Sequence, residues 1–193
     1  MVTLSAHKIG GPKGVGALYI NDKIITPRAL SPVVFGGGQE RGFRSGTENV
    51  AGIAGFGAAA EYGAKTLPSF LSGTARLRER LENGISAFAG HGVRINRPQT
   101  AVIANHIISL TVPGIRSETL LHSLSADGVY VSSGSACSSN TGHASYVLRS
   151  FGLSAADADA TVRISLGIQN TEEDITALCA SLGQGLQRLA KIK

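Results

Sequence analysis

Lys8 stands between what reads as a strand end, Val2 to Ser5, and a glycine-proline turn, in the run Ser5-Ala6-His7-Lys8-Ile9-Gly10-Gly11-Pro12-Lys13-Gly14. An amine there is suited to covalent work on a carbonyl if partial desolvation lowers its pKa and leaves it neutral. Ser5 and His7 add short-range donors of the kind that hold a phosphate. Taken alone, the same residues also describe an ordinary solvated turn lysine.

A second nucleophile is Cys137, in Ser132-Ser133-Gly134-Ser135-Ala136-Cys137-Ser138-Ser139-Asn140-Thr141-Gly142-His143. Free cysteines are mostly buried, so one among small polar residues is available as a nucleophile if its thiolate is favoured. His143, on the same loop, is a candidate to favour it. The other cysteine, Cys179, falls among Ile175, Leu178, Leu182, Leu186 and Leu189 and reads as core. Arg163 lies in the apolar run Thr161-Val162-Arg163-Ile164-Ser165-Leu166, where an unpaired guanidinium is costly to bury. A small carboxylate substrate would pair with its fork, and so would an internal acid. The run from Gly36 to Thr47 is glycine-rich and contains Glu40, Arg41 and Arg44. Its backbone amides and the Thr47 hydroxyl suit an anion, and the run equally suits a flexible surface loop. It lacks the Gly-Lys-Ser/Thr ending of a nucleotide-binding loop.

These residues need elements to hold them. Val15–Ile20 reads as a strand followed by a turn at Asn21-Asp22. Residues 49–63, rich in alanine, predict a well-buried helix, and Pro68 to Ala89 a second one with Pro68 in its first turn. Short strands are expected at 93–95, 106–112, 129–132 and 162–166, and helices at 117–126, 146–151 and 171–190. Capping-box spacing opens helices at Ser154 and at Thr171. Helices and strands alternate, so the class is α/β. The change from glycine-rich loops to amphipathic helices puts a domain boundary near residue 65.

Composition narrows the function. The 193 residues carry 25 glycines and a net charge of +5. The basic residues are dispersed apart from Arg76, Arg78 and Arg80, which alternate with Glu79 and Glu82 and read as a solvated helix face. No aromatic residues interleave with them, so nucleic-acid binding is not expected. Two distant cysteines make neither a disulfide framework nor a metal site. No apolar run is long enough for a bilayer and no signal peptide is evident, so the expected location is the cytoplasm.

The four runs around Lys8, Gly36–Thr47, Cys137 and Arg163, in this order, resemble the cysteine desulfurases, in the class V branch of pyridoxal-phosphate aminotransferase-like enzymes. The resemblance implies an α/β fold of the type I pyridoxal-phosphate transferases. Residues 1–64 would be a remnant of the large cofactor domain, and residues 65–193 the small C-terminal domain with the cysteine loop. It implies that Lys8 holds pyridoxal 5'-phosphate covalently and later transfers protons, with Ser5 and His7 on the phosphate. Thr47 would reach the phosphate in a neighbouring subunit, which makes the protein a homodimer. Arg163 would clamp the carboxylate of L-cysteine. Cys137 would take the sulfur as a persulfide, releasing L-alanine, and a long loop from Cys137 to Tyr146 would carry it to an acceptor such as an iron-sulfur scaffold.

In that family the lysine run falls near the middle of the chain, whereas here it is at residue 8. The resemblance therefore covers about the C-terminal half, and implies either a fragment or an N-terminal half supplied by another polypeptide. Two alternatives stay open: a catalytically incompetent fragment or persulfide carrier, and a selenocysteine lyase or other class V aminotransferase.

Overall fold

A computed structural model of the chain describes residues 1–25, 30–98, 102–133 and 145–190. The chain divides into two compact units, Met1–Pro68 and Ser69–Lys193. Helix and sheet are mixed throughout, as expected for the α/β class. Among the described residues, no helix is long and apolar enough to cross a membrane.

In the first unit, β1 (Val2–Ser5) pairs antiparallel with β2 (Gly16–Tyr19), with Val2 opposite Tyr19 and Ser5 opposite Gly16. Between them, Ala6–Ile9 form a single 3-10 turn. The expected turn at Asn21-Asp22 is instead the start of a short helix, α1 (Asp22–Ile25), where Asn21 Oδ1 accepts a bond from the Lys23 amide. Asn49 opens the long helix α2 (Val50–Ser86), its Oδ1 accepting from the amide of Gly52 at 3.0 Å.

The two helices expected at 49–63 and 68–89 are thus one. Pro68 lies inside α2 rather than at its first turn. Proline removes one helical N–H bond. The long run of alanine and other helix formers on either side carries the helix past it. The first half of α2 is also not the well-buried helix expected, because Val50, Ile53, Tyr62 and Leu67 are exposed.

The second unit holds the hydrophobic core. Its sheet has the order β3 (Arg94–Asn96), β4 (Ile107–Thr111), β5 (Thr161–Ser165), all antiparallel. Side chains alternate across a sheet, so register decides what each face carries. Ile108 lies opposite Ile164 and Leu110 opposite Val162, and all four are buried in the core. Against them pack Leu77, Leu81 and Ile85 of α2, and Leu120 and Leu124 of α3 (Ser117–Ala126). Ile175, Leu178, Leu182 and Leu186 of α6 (Glu172–Ala190) complete the layer at helical spacing. The short helices α4 (Tyr146–Ser150) and α5 (Ala155–Asp159) lie between α3 and β5 in the chain.

Ser154 caps its helix through the side chain alone, and the capping box at Thr171 forms in full. Ser154 Oγ accepts from the Asp157 amide at 3.0 Å. Thr171 and Asp174 cap reciprocally, with Asp174 Oδ2 accepting from the Thr171 amide at 3.0 Å and Thr171 Oγ1 from the Asp174 amide at 3.4 Å. Asp127, just past α3, accepts from Ser181 at 2.6 Å and Arg188 at 2.7 Å, tying the end of that helix to α6.

The arginine-rich face of α2 departs from expectation. Arg76 and Arg80 are exposed, but Arg78 is only 6% exposed. Its Nε donates to Glu82 at 2.7 Å, and its Nη1 to the carbonyls of Ala104 and Ile107 at 3.3 and 3.2 Å. Glu82 also pairs with Arg97 at 2.7 Å. The guanidinium thus satisfies the Ile107 carbonyl at the start of β4 and shares the Ala104 carbonyl with the Ile107 amide, which is why it is buried. Burial works against the Glu82 charge, but the bonds from Arg97 and Arg78 outweigh it and hold its carboxyl below the ordinary value of 4.5.

Arg78→Met is therefore expected to lower unfolding stability by about 1–3 kcal/mol, since it strands the Ile107 carbonyl and removes one of the two partners of Glu82. Arg80→Met, on the exposed side, should cost less than about 1 kcal/mol. Urea midpoints check both. Because the folded pKa of Glu82 is depressed, its contribution is present above about 4.5 and lost as pH falls through the lower folded value. The stability gap between the parent chain and Glu82→Gln should accordingly close in that acidic window.

Candidate active site

In the first unit the lysine run is built on a buried alanine. Ser5 ends β1 in extended geometry, and Ala6 begins the 3-10 turn fully buried. The Ala6 amide donates to Val15 at 3.1 Å, and its carbonyl accepts from Gly11 at 2.9 Å. Gly10 closes the turn at φ 84°, a left-handed backbone that favours glycine. The turn sits on α2 through small residues. A Cβ at Gly11 would come within 3.1 Å of the Ala6 Cβ and 3.3 Å of the Ala59 Cβ, and one at Gly55 within 2.7 Å of Pro12. Ser5, His7 and Lys8 are brought together on this seat, and all three are exposed. Among the described residues Lys8 has no ion-pair partner.

The glycine-rich run is also folded back on itself. Gln39 Oε1 accepts from the Gly46 amide at 3.1 Å, and the Gly42 amide donates to Gly38 at 3.0 Å. Glu40 and Arg41 take φ of 51° and 55° between Gly38 and Gly42, which are also left-handed. Such geometry in a non-glycine residue is strained by about 1–2 kcal/mol. Thr47 follows this loop, exposed, two residues before the Asn49 cap of α2. It belongs to the same unit as Lys8.

Arg163 belongs to the second unit. It lies on the sheet face opposite the core, in register with Ser109, and is exposed. The strand therefore does not bury it, and among the described residues no acid pairs with it. The premise of a buried guanidinium gives way to one displayed on a polar face. Beside it on that face, Asn96 donates to Thr111 at 2.8 Å, and the Thr111 and Thr161 hydroxyls are 2.7 Å apart. Thr161 passes its proton on to the Asp157 carbonyl at 2.6 Å, so each hydroxyl in this chain is satisfied.

The residue that sequence reasoning missed is Ser132. The expected strand at 129–132 is only a bridge at Ser132. Its amide donates to the Arg163 carbonyl at 3.1 Å and its carbonyl accepts from the Arg163 amide at 2.7 Å. The alternation of Val129 and Val131, which pack on the core, hinted at such pairing. Cys137 and His143 lie outside the described residues.

Residues 1–178 match the family described as Aminotransferase class-V. The chain belongs to that family. It is 42% identical over 177 residues to the cysteine desulfurase IscS of Clostridium botulinum, covering 91% of this chain and 43% of that protein. It is 38% identical over 194 residues to the cysteine desulfurase IscS 1 of Archaeoglobus fulgidus, covering 98% and 48%. In structure it resembles a NifS-like protein with a TM-score of 0.80 at 34% identity, over 96% of this chain and 46% of that one. A NifS-like protein from Rickettsia africae matches with a TM-score of 0.77 at 29% identity, over 96% and 47%. The α/β fold is that of these class-V relatives, and the chain spans less than half their length.

Cys179 gives this class-V chain an internal standard for thiol reactivity. It is half-buried against the core, and a Cβ at Gly84 would lie 2.5 Å from its sulfur. Burial pushes its thiol above the ordinary 9.0, only partly offset by the charge of Arg80. Alkylation of the native protein at neutral pH should therefore modify Cys137 on the order of tenfold faster than Cys179. Peptide mapping that found Cys179 modified first would overturn the assignment of Cys137 as the nucleophile.

Proposed function

We propose that residues 1–193 are part of a pyridoxal-phosphate-dependent cysteine desulfurase, the part carrying the cofactor lysine Lys8, the carboxylate-binding Arg163 and the sulfur-accepting Cys137. The observation that supports this most is the pair of backbone bonds between Ser132 and Arg163. They join the strand bearing an exposed guanidinium, with no acid partner among the described residues, to the segment that leads to the cysteine. The relatives whose names say cysteine desulfurase support the same reading.

The donor set near Lys8 fits the cofactor. An exposed primary amine suits the aldehyde, and an imidazole one residue away and a hydroxyl three residues away suit a phosphate dianion. Thr47 would serve the phosphate of a neighbouring subunit in a homodimer. When bound, pyridoxal phosphate supplies an electron sink for the substrate's α-carbon.

In this reading the Arg163 fork pairs with the carboxylate of L-cysteine and orients it. Lys8 Nζ moves protons at the substrate carbons. Cys137 Sγ, as thiolate, bonds to the substrate sulfur while the Cβ–S bond breaks. The electron pair of that bond stays with the three-carbon fragment, which takes up a proton and leaves as L-alanine. The persulfide on Cys137 then passes to an acceptor protein such as an iron-sulfur scaffold, in the cytoplasm.

Borohydride added after pyridoxal phosphate should fix the cofactor on Lys8 ahead of Lys13, Lys23 and Lys65, and Lys8→Ala should abolish that adduct. Equal labelling of all six lysines, Lys191 and Lys193 included, refutes the cofactor assignment. Alanine formation from L-cysteine, with saturating cofactor and a thiol reductant, should run at least about a hundredfold below that of the full-length Archaeoglobus relative, because the strand that leads into the Lys8 turn is exposed and misplacement of about 1 Å is that costly. Turnover equal to the relative would mean that the rest of the family fold is dispensable.

A further inference from the structure

The polar face of the second unit's sheet carries one row of residues across its strands. Asn96 lies opposite Ser109, Ser109 opposite Arg163, and Arg163 opposite Ser132. Residues directly opposite share a face, so these four side chains stand on the same side of the sheet. Arg163 spends both its amide and its carbonyl on Ser132. Its pair with Ser109 is therefore the kind without mutual backbone bonds, in which antiparallel side chains stand closest.

The hydrogens on this face follow by elimination. The Asp157 carbonyl can only accept, so the Thr161 hydroxyl donates to it at 2.6 Å. Thr111, whose hydroxyl is 2.7 Å from that of Thr161, then donates to Thr161. Having spent its one hydrogen, Thr111 accepts from Asn96 Nδ2 at 2.8 Å. The other amide hydrogen of Asn96 goes to Ser109 Oγ at 3.0 Å. Ser109 thus accepts from Asn96 and keeps its own hydrogen, for which no acceptor occurs among the described residues. Ser109 and Asn96 are half-buried, whereas the guanidinium beside them is exposed. An oriented O–H donor next to a cationic fork suits an anion with more lone pairs than the fork can use. A carboxylate is such an anion, since a bidentate arginine occupies only part of its accepting capacity.

We infer that Ser109 is a second carboxylate-binding residue, donating its hydroxyl hydrogen to the same amino-acid carboxylate that the Arg163 fork holds. The bonds running from the Asp157 carbonyl through Thr161, Thr111 and Asn96 keep Ser109 in the donating sense. This role rests on Arg163 being the carboxylate anchor proposed above. It adds a preference for a free carboxylate over a neutral amide, whose NH2 group would meet the donors of both Ser109 and Arg163.

The test titrates residues 1–193, isotope-labelled at the arginine nitrogens, with L-alanine, which presents the carboxylate without a thiol. The Arg163 Nε resonance is the one missing from Arg163→Gln. It should shift saturably with L-alanine and stay in place with L-alaninamide. Ser109→Val should weaken the binding of L-alanine at least about fivefold, the share of one hydrogen bond to a charged acceptor. Ser109→Thr, with the shape of valine but the hydroxyl retained, should bind as the parent chain does. Equal affinities for the Thr and Val variants would overturn the role of Ser109 and leave that of Arg163 standing. No saturable shift in the parent chain, or an equal shift with L-alaninamide, would overturn both.

Discussion

The register between β4 and β5 decides the second unit. With Leu110 opposite Val162 and Ile108 opposite Ile164, four branched side chains fall on one face and meet the leucines of α2, α3 and α6. A slip of one residue would turn all four to solvent and drive Arg163 and Thr161 into the core. The cost of that slip is what holds the pairing. The same register that builds the core therefore compels Arg163 outward, among hydroxyls and amides, where a guanidinium keeps its solvation and stays available.

The two units are stabilised in different ways. Every residue of the hydrophobic core cluster belongs to the second unit, from Leu77 to Leu186. The first unit relies on short-range closure: Ala6 buried under a 3-10 turn, Gln39 bridging the glycine-rich loop, and Asn49 capping a helix. Such contacts fix local conformation but remove little apolar area from water, and hydrophobic stabilisation scales with that area. Elements of this kind open more readily than a packed core.

Much of this was legible in the sequence where local rules and burial agree. Helix α3 begins and ends where its leucine spacing puts it, and the Ser154 and Thr171 caps form as their spacing demands. Readings failed where a long-range partner decided. Arg78 looked like its neighbours Arg76 and Arg80, and only its bonds to the carbonyls of Ala104 and Ile107 distinguish it. Pro68 looked like a helix start because a proline signals a boundary locally, and the residues on both sides overrode it. The alanine-rich start of α2 suggested burial, but composition cannot say whether this chain contains what covers it. At the site, residue types marked Lys8, Cys137 and Arg163 as candidates, while the Ser132 bridge depends on pairing between segments about thirty residues apart.

The exposed strands β1 and β2 bear directly on the chemistry. Lys8 follows β1 by three residues, and its turn is suspended between β1 and β2 at Ala6 and Val15. The position of its amine can be no better defined than that of the strands. A pair of four-residue strands exposed on both faces has few contacts to define them, and catalysis tolerates errors of only a fraction of an ångström. How well these two strands are held thus determines how well the lysine can perform its chemistry.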